Sequence, residues 1–227
     1  MNIVALICAR GNSKGIKNKN LLKFKNTNLL GNSIQQAKKI KCIKRIFVST
    51  DSKKIANCAL RLGAEVPFIR PKYLSTDSSP EILTWRHTVD YLKNKLKVEP
   101  DFIVSVPTTS PLRNIKDIKS CIKKAIKNNL DIVFSITKAK RNPFFNMVSL
   151  KNDKLQLMCK AKKKYSRRQE APKCYDLTTV CYVFKPKYIK KTNDLFSGNT
   201  GFILIPSQRS LDIDEKIDYK IAKILSD

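Results

Sequence analysis

One histidine and 18 acidic residues are all that the 227-residue chain supplies of those types, and each scarcity narrows the chemistry. Catalytic triads of the Ser-His-Asp or Cys-His kind need a histidine poised beside a nucleophile. His87 instead sits inside an amphipathic stretch with no second ligand nearby, so it reads as a partly exposed helix residue and zinc is not expected. The seven cysteines show no CxxC spacing, which makes them small core hydrophobes of a reducing compartment rather than a disulfide or metal framework. No run approaches the ~20 apolar residues of a membrane-spanning helix, and MNIVALICAR lacks the features of a secretory leader. A soluble, cytoplasmic protein is expected. Neither GxxxxGK[ST] nor GxGxxG occurs, which excludes the P-loop and the dinucleotide fingerprint.

What the chain has in excess is positive charge: 46 Lys and Arg give a formal net charge of +28. Nucleic-acid binding is one reading, and attraction of small polyanions into a basic cleft is another. The lysines are spread over polar faces of predicted helices, as in KDIKSCIKKAIK, and form neither a stripe nor a tail. The densest run, Lys160 to Arg168, carries one aromatic, Tyr165, too few for a single-strand stacking surface. Nucleic-acid contact is expected to be weak and non-specific. A basic RNA-binding protein is kept as the rival class, marked by salt-sensitive binding that does not need a nucleotide substrate.

The length suits one domain over residues 1–227. Residues 3–8 (IVALIC) form a continuous apolar run followed by a glycine-containing loop, the signature of a strand buried on both faces. Residues 46–49, 65–69, 102–106 and 131–136 repeat it, and 180–184 and 202–205 resemble further strands. Between them, Leu30, Ile34 and Ala37, then Trp85, Val89, Leu92 and Leu96, then Ile115, Ile118, Ile122 and Ala125 keep to helical faces, and Ile217, Ile221, Ile224 and Leu225 mark a closing helix. The alternation predicts an α/β fold with a parallel or mixed sheet between helices. Residues 138–176 break the rhythm, with two short alternating runs around Lys151-Asn152-Asp153, and predict a projecting β-hairpin arm.

Open α/β sheets bind ligands beyond the carboxyl ends of their strands, where this chain places its polar, non-periodic loops. The first, ARGNSKGIKNKN, holds Arg10, Lys14, Lys17 and Lys19 within ten residues. Such a loop can wrap a triphosphate and stabilise a departing pyrophosphate. Others end in Ser49-Thr50-Asp51, in Arg70-Pro71 and in PTTSPLR. Asp51-Ser52 would also serve as a helix N-cap, and PTTSPLR as an ordinary strand-to-helix turn. Near the C-terminus, SLDIDE sets Asp212 and Asp214 two residues apart. On extended backbone both carboxylates reach one face and one hard cation; alternatively they are charge partners of the closing helix.

ARGNSKGIKNKN, VSTDS, PTTSPLR, RRQEAPKCYDLTTVCYV and SLDIDEKIDY, in this order, resemble the CMP-sialic acid synthetase family of cytidylyltransferases over nearly the whole chain. The resemblance implies a Rossmann-like three-layer fold that dimerises through the arm, with CTP and a nonulosonic acid as substrates and Mg2+ as cofactor. It implies CTP binding at Arg10, Gly11, Asn12, Ser13, Lys19, Asn20 and Arg70, and sugar binding at Thr109, Arg113, Arg168, Gln169 and Tyr175. It gives magnesium to Asp212 and Asp214, and catalysis to these with Arg10 and Lys19. Sialic acid members usually read QPTSPLR and carry Asn-Gly ahead of the strand after the arm; here Pro107 and Thr178-Thr179 stand there. RRQEAPKCYD and KRNPFFNMV look like the legionaminic acid branch, with Phe144 and Phe145 adding apolar surface to the sugar pocket or to a dimer interface. N-acetylneuraminic acid is the alternative substrate.

Overall fold

The computed structural model describes residues 1–160 and 165–226. The chain begins with β1 (Ile3–Cys8), a short hairpin of β2 (Lys23–Phe24) and β3 (Thr27–Asn28), α1 (Leu29–Lys38), β4 (Ile43–Ser49), α2 (Lys53–Arg61), α3 (Glu81–Asn94), β5 (Phe102–Ser105), α4 (Ile115–Lys127) and β6 (Ile132–Lys138). It continues through β7 (Val148–Lys151), β8 (Lys154–Leu157), β9 (Tyr175–Phe184), α5 (Pro186–Lys191), β10 (Thr200–Leu204) and α6 (Lys216–Ile224). Six strands form the central sheet in the order β10-β6-β9-β5-β1-β4. All run parallel except β9, which is antiparallel to both β5 and β6.

The continuous apolar runs are explained by helices on both faces. Alternate residues of β1 divide between two cores. Ile3, Ala5 and Ile7 pack with Leu30 and Ile34 of α1, Ile55 and Ala59 of α2, and Ile118 and Ile122 of α4. Val4 and Leu6 pack with Trp85, Val89 and Leu92 of α3 and Ile189 of α5. At ~25 cal/mol per Å² of apolar area buried, these two layers supply most of the driving force. A third cluster of Ile16, Phe24, Leu29, Ile213 and Ala222 fastens the first loop, the segment before α6 and α6 itself together.

Three expectations need correction. Residues 65–69 do not form a strand; they make two isolated parallel bridges, Glu65 with Phe47 of β4 and Ile69 with Thr50 just beyond it. Pro67 lies between them with no N–H to give to a ladder. One helix, α5, was not expected: it has six residues, too few for periodicity to mark. The cysteines are not uniformly core residues, since Cys121 and Cys181 are buried, Cys42 is exposed and the other four are half-buried, all seven with free thiols.

The arm leaves the sheet after Lys138 and returns at Tyr175, where those two residues pair, and the Ala139 N–H donates to the Cys174 carbonyl just beyond. Its tip is the β7–β8 hairpin, turned by Asn152 (φ 50°) and Asp153 (φ 57°). Two successive left-handed residues make the tight turn that matches strand twist, and Asn and Asp tolerate it better than other non-glycine residues. Of the basic run Lys160 to Arg168, residues 161–164 lie outside the described residues.

Candidate active site

The loops at the carboxyl ends of the parallel strands enclose a cleft of about 320 Å³. Arg10, Ser13, Lys19, Asn20, Arg70, Thr109, Asp212 and Asp214 line it together. Residues up to 204 positions apart in sequence are thus neighbours, because β1 sits inside the sheet and the segment before α6 crosses its carboxyl end.

Each piece is held by specific bonds. Asp51 Oδ1 accepts the Gly11 N–H at 2.7 Å, while Ser52 caps α2 by accepting from Ile55. The two roles open for the Asp51-Ser52 pair are therefore divided between its members. Asn20 Nδ2 donates to the Arg10 carbonyl at 2.8 Å, and its Oδ1 accepts from Thr108, so the amide staples the two ends of the first loop to the fourth. Asn32, Ser33 and Gln36 of α1 donate to the carbonyls of Pro111, Pro107 and Arg113, giving PTTSPLR a fixed path. Gly15 lies so close to the acidic segment that a Cβ there would be 2.0 Å from the Asp214 carbonyl oxygen. Any side chain at Gly15 would push the first loop off that segment.

Between Asp212 and Asp214, Ile213 is fully buried and its N–H donates to the Thr109 carbonyl at 2.9 Å. This extended path turns the flanking carboxylates to the cleft. The closing helix does not need them as charge partners, since Glu215 and Asp218 form its capping box. Lys19 Nζ donates to the Ile213 carbonyl at 2.6 Å and meets Asp214 Oδ1 at 3.3 Å. Among the described residues Asp212 Oδ1 is buried with no hydrogen-bond partner, a state that costs free energy unless a cation or donor joins it. Two carboxylates and substrate phosphates are the usual donor set for Mg2+, and these residues fit it. Among the described residues no group of three or more His, Cys, Asp or Glu gathers as a protein-only cage.

Upstream, Arg209 makes a two-pronged ion pair with Asp117 at 2.9 and 2.8 Å. Because Asp117 is also the capping-box partner of Asn114 at the start of α4, this bond ties the approach to the acidic segment to the sheet's helical layer.

The remaining sequence-derived candidates distribute unevenly. Gly11 and Asn12 belong to the loop without lining the cleft. Arg113, expected at the sugar, is 3% exposed and points inward, where it donates to the Pro107 carbonyl; desolvation lowers its pKa to about 10. Arg168, Gln169 and Tyr175 line a separate hollow of about 410 Å³ at the base of the arm, with Lys138 and Arg141. A neighbouring hollow of about 330 Å³ runs from Lys138, Lys140 and Arg141 to Asp212 and so connects the arm base with the cleft. Thr178 and Thr179 lie within β9, where three residues bulge out between the pairs Ser135–Thr178 and Phe134–Tyr182. The bulge brings Thr179 into the cleft beside Ser110, 2.6 Å away between hydroxyls.

Sequence reading missed Asp77, which pairs with Arg10 at 2.5 Å and Lys14 at 3.3 Å, and missed Cys8, Ser79 and Glu81, which also line the cleft. Asp77 follows Arg70 by seven residues with no motif to mark it. Glu81 opens α3 and reads as a helix-dipole partner.

The family described as "Cytidylyltransferase" matches residues 4–200. Among characterised relatives, the CMP-N,N'-diacetyllegionaminic acid synthase of Campylobacter jejuni is 35% identical over 98% of this chain and 94% of its own length. Post-translational flagellin modification protein B of Campylobacter coli is 34% identical over the same shares. In fold, the chain is similar to a CMP:2-keto-3-deoxy-manno-octonic acid synthetase solved with CTP, with a TM-score of 0.73 at 13% identity over 99% of this chain and 98% of that one. The Rossmann-like α/β class expected from the sequence agrees with this likeness.

Proposed function

Since the chain belongs to the cytidylyltransferase family, we propose that it joins CMP, taken from CTP, to a nonulosonic acid of the diacetyllegionaminic type. The anomeric hydroxyl oxygen attacks the α-phosphorus. Its proton is lost, the new O–P bond forms as the α–β phosphoanhydride bond breaks, and pyrophosphate departs. The observation that carries the reading is the convergence of Arg10, Ser13, Lys19, Asn20 and Arg70 with Asp212 and Asp214 in one cleft. Arg10 is placed to grip phosphate oxygens once a triphosphate competes with Asp77 for its guanidinium, and Lys19 supplies a point charge for the leaving pyrophosphate. Mg2+ bound at Asp212 and Asp214 would supply Lewis-acid charge to the phosphates. The sugar acid would extend past Asp212 toward the basic hollows at the arm base, where Lys138, Arg141 and Arg168 suit its carboxylate.

Pro107 in the cleft wall carries no side-chain donor, which suits a sugar with fewer hydroxyls. Pyrophosphate release with CTP, Mg2+ and each sugar acid should give a higher kcat/KM for diacetyllegionaminic than for N-acetylneuraminic acid. Equal or reversed preference would remove the sugar assignment and leave the transferase; no turnover with any such acid would sink the reaction itself.

A homodimer belongs to the same proposal. The arm's hairpin exposes Leu150 (69%) and Leu155 (72%), and two strands alone are marginal in water, so a second copy is the fitting cover. Sedimentation equilibrium should give a dimer for the native chain and a monomer for L150K/L155K. A monomeric native chain would refute this. Free thiols throughout suit a reducing compartment, and cell fractionation should place the activity in the cytoplasm. Among the described residues no helix is long and apolar enough to cross a membrane.

A further inference from the structure

Glu81 is a carboxylate in a cleft whose other tasks call for positive charge. A phosphate placed against it would be repelled, so the corner it shares with Cys8, Arg70 and Ser79 suits a neutral part of the ligand. Three features of that corner carry chemical information. Glu81 Oε1 accepts the Trp85 indole N–H at 3.2 Å, which holds the side chain of this exposed residue in the cleft lining. Arg70 is 6% exposed; its two terminal nitrogens donate to the Ser49 and Leu74 carbonyls, and its Nε is buried without a partner among the described residues. The Ser79 hydroxyl is likewise buried and unpartnered among them. Two unmatched donors, costly if left so, therefore stand with a carboxylate in the cleft wall.

A pyrimidine edge can match them in one way. Cytosine presents two acceptors, O2 and N3, and one donor, the exocyclic amine. Uracil reverses the last two, with a donor at N3 and an acceptor at O4. We propose that Glu81 is the base-selecting residue of the nucleotide site: it accepts from the cytosine amine while Arg70 Nε and the Ser79 hydroxyl donate to the ring acceptors, and it repels uracil O4. This rests on the cytidylyltransferase reading of the cleft. Desolvation raises the Glu81 pKa, and the Trp85 hydrogen bond and the Arg70 charge offset part of that rise. Burial, and next Glu81 itself, push up the Cys8 pKa; the resulting neutral thiol is a weak donor, readily displaced by an amine.

The helix-dipole role of an acid in a first turn is the simpler account of Glu81, and the two accounts differ in what a glutamine does. An amide can accept from cytosine or donate to uracil. Titration calorimetry with CTP and UTP, each with Mg2+ and no sugar acid, should show the E81Q variant losing about 10-fold or more of the native preference for CTP, chiefly by tighter UTP binding. E81D, which keeps a carboxylate, should retain a preference for CTP and covers the case in which E81Q folds poorly. A native preference that survives in E81Q, or an equal loss of both nucleotides, would overturn the proposal and leave the transferase reading in place. A native chain that binds neither nucleotide would overturn both.

Discussion

Replacing Asp212 by Asn should lower kcat by about 10²- to 10³-fold, the scale of removing one well-placed charge from a transition state, while leaving the fold intact. The two halves of that expectation come from one atom. Asp212 Oδ1 makes no hydrogen bond among the described residues, so the isosteric amide breaks none there, and the melting temperature without ligands should change little, because losing the charge gives up its attraction for the buried Arg113 and relieves its repulsion of Glu81. With CTP and Mg2+ present, the native chain should melt higher than without them, because a ligand selective for the folded state stabilises it. D212N should lose most of that increment. Turnover within a few-fold of native, or an undiminished increment, would take Asp212 out of the site.

Lys19→Met should be the second most damaging change, with kcat/KM for CTP down by about 10²-fold or more. Methionine fills much of the lysine stem's volume but loses the charge and three donors. Lys19 has a side chain 11% exposed, and its ammonium bridges the first loop to the acidic segment through the Ile213 carbonyl and Asp214. Its loss should therefore also cost about 1–3 kcal/mol of stability, the range for a hydrogen bond to a charged group whose partner is left unsatisfied. K19R, which restores the charge in a wider head, should recover part of the stability and less of the turnover. Unaltered CTP saturation kinetics in K19M would show that the bridge is structural alone.

The strands buried on both faces were legible because their pattern is unmistakable: β1 is an unbroken apolar run, and β5 and β6 each open with three large apolar residues. What hid the rest was local. In β9, Asp176, Thr178 and Thr179 make the first half look like a loop, and nothing in a run such as VCYVF states which way the strand points. The site was legible where several residues of one loop act together, as in ARGNSKGIKNKN, and where two scarce acids fall at a strand-like spacing. It was illegible where a single residue is recruited from a distance. Glu81 and Asp77 carry no neighbours that distinguish them from solvated acids, and the inward turn of Arg113 follows from packing against Pro107 rather than from its place in PTTSPLR.

The antiparallel β9 fills the gap between β5 and β6, and this has a consequence for synthesis on the ribosome. Strand β6 is complete at Lys138, but the strand that joins it to the rest of the sheet does not begin until Tyr175. At cellular elongation rates the interval is roughly 2–7 s. During it the nascent chain carries one unpaired edge on β5 and two on β6, whose other neighbour β10 is made later still, the backbone arrangement most open to pairing with another chain. These edges are flanked by the apolar faces that later become the two cores. The intervening residues spell out a strongly basic arm, and like charge on neighbouring nascent chains is what would keep them apart until β9 emerges and closes the sheet.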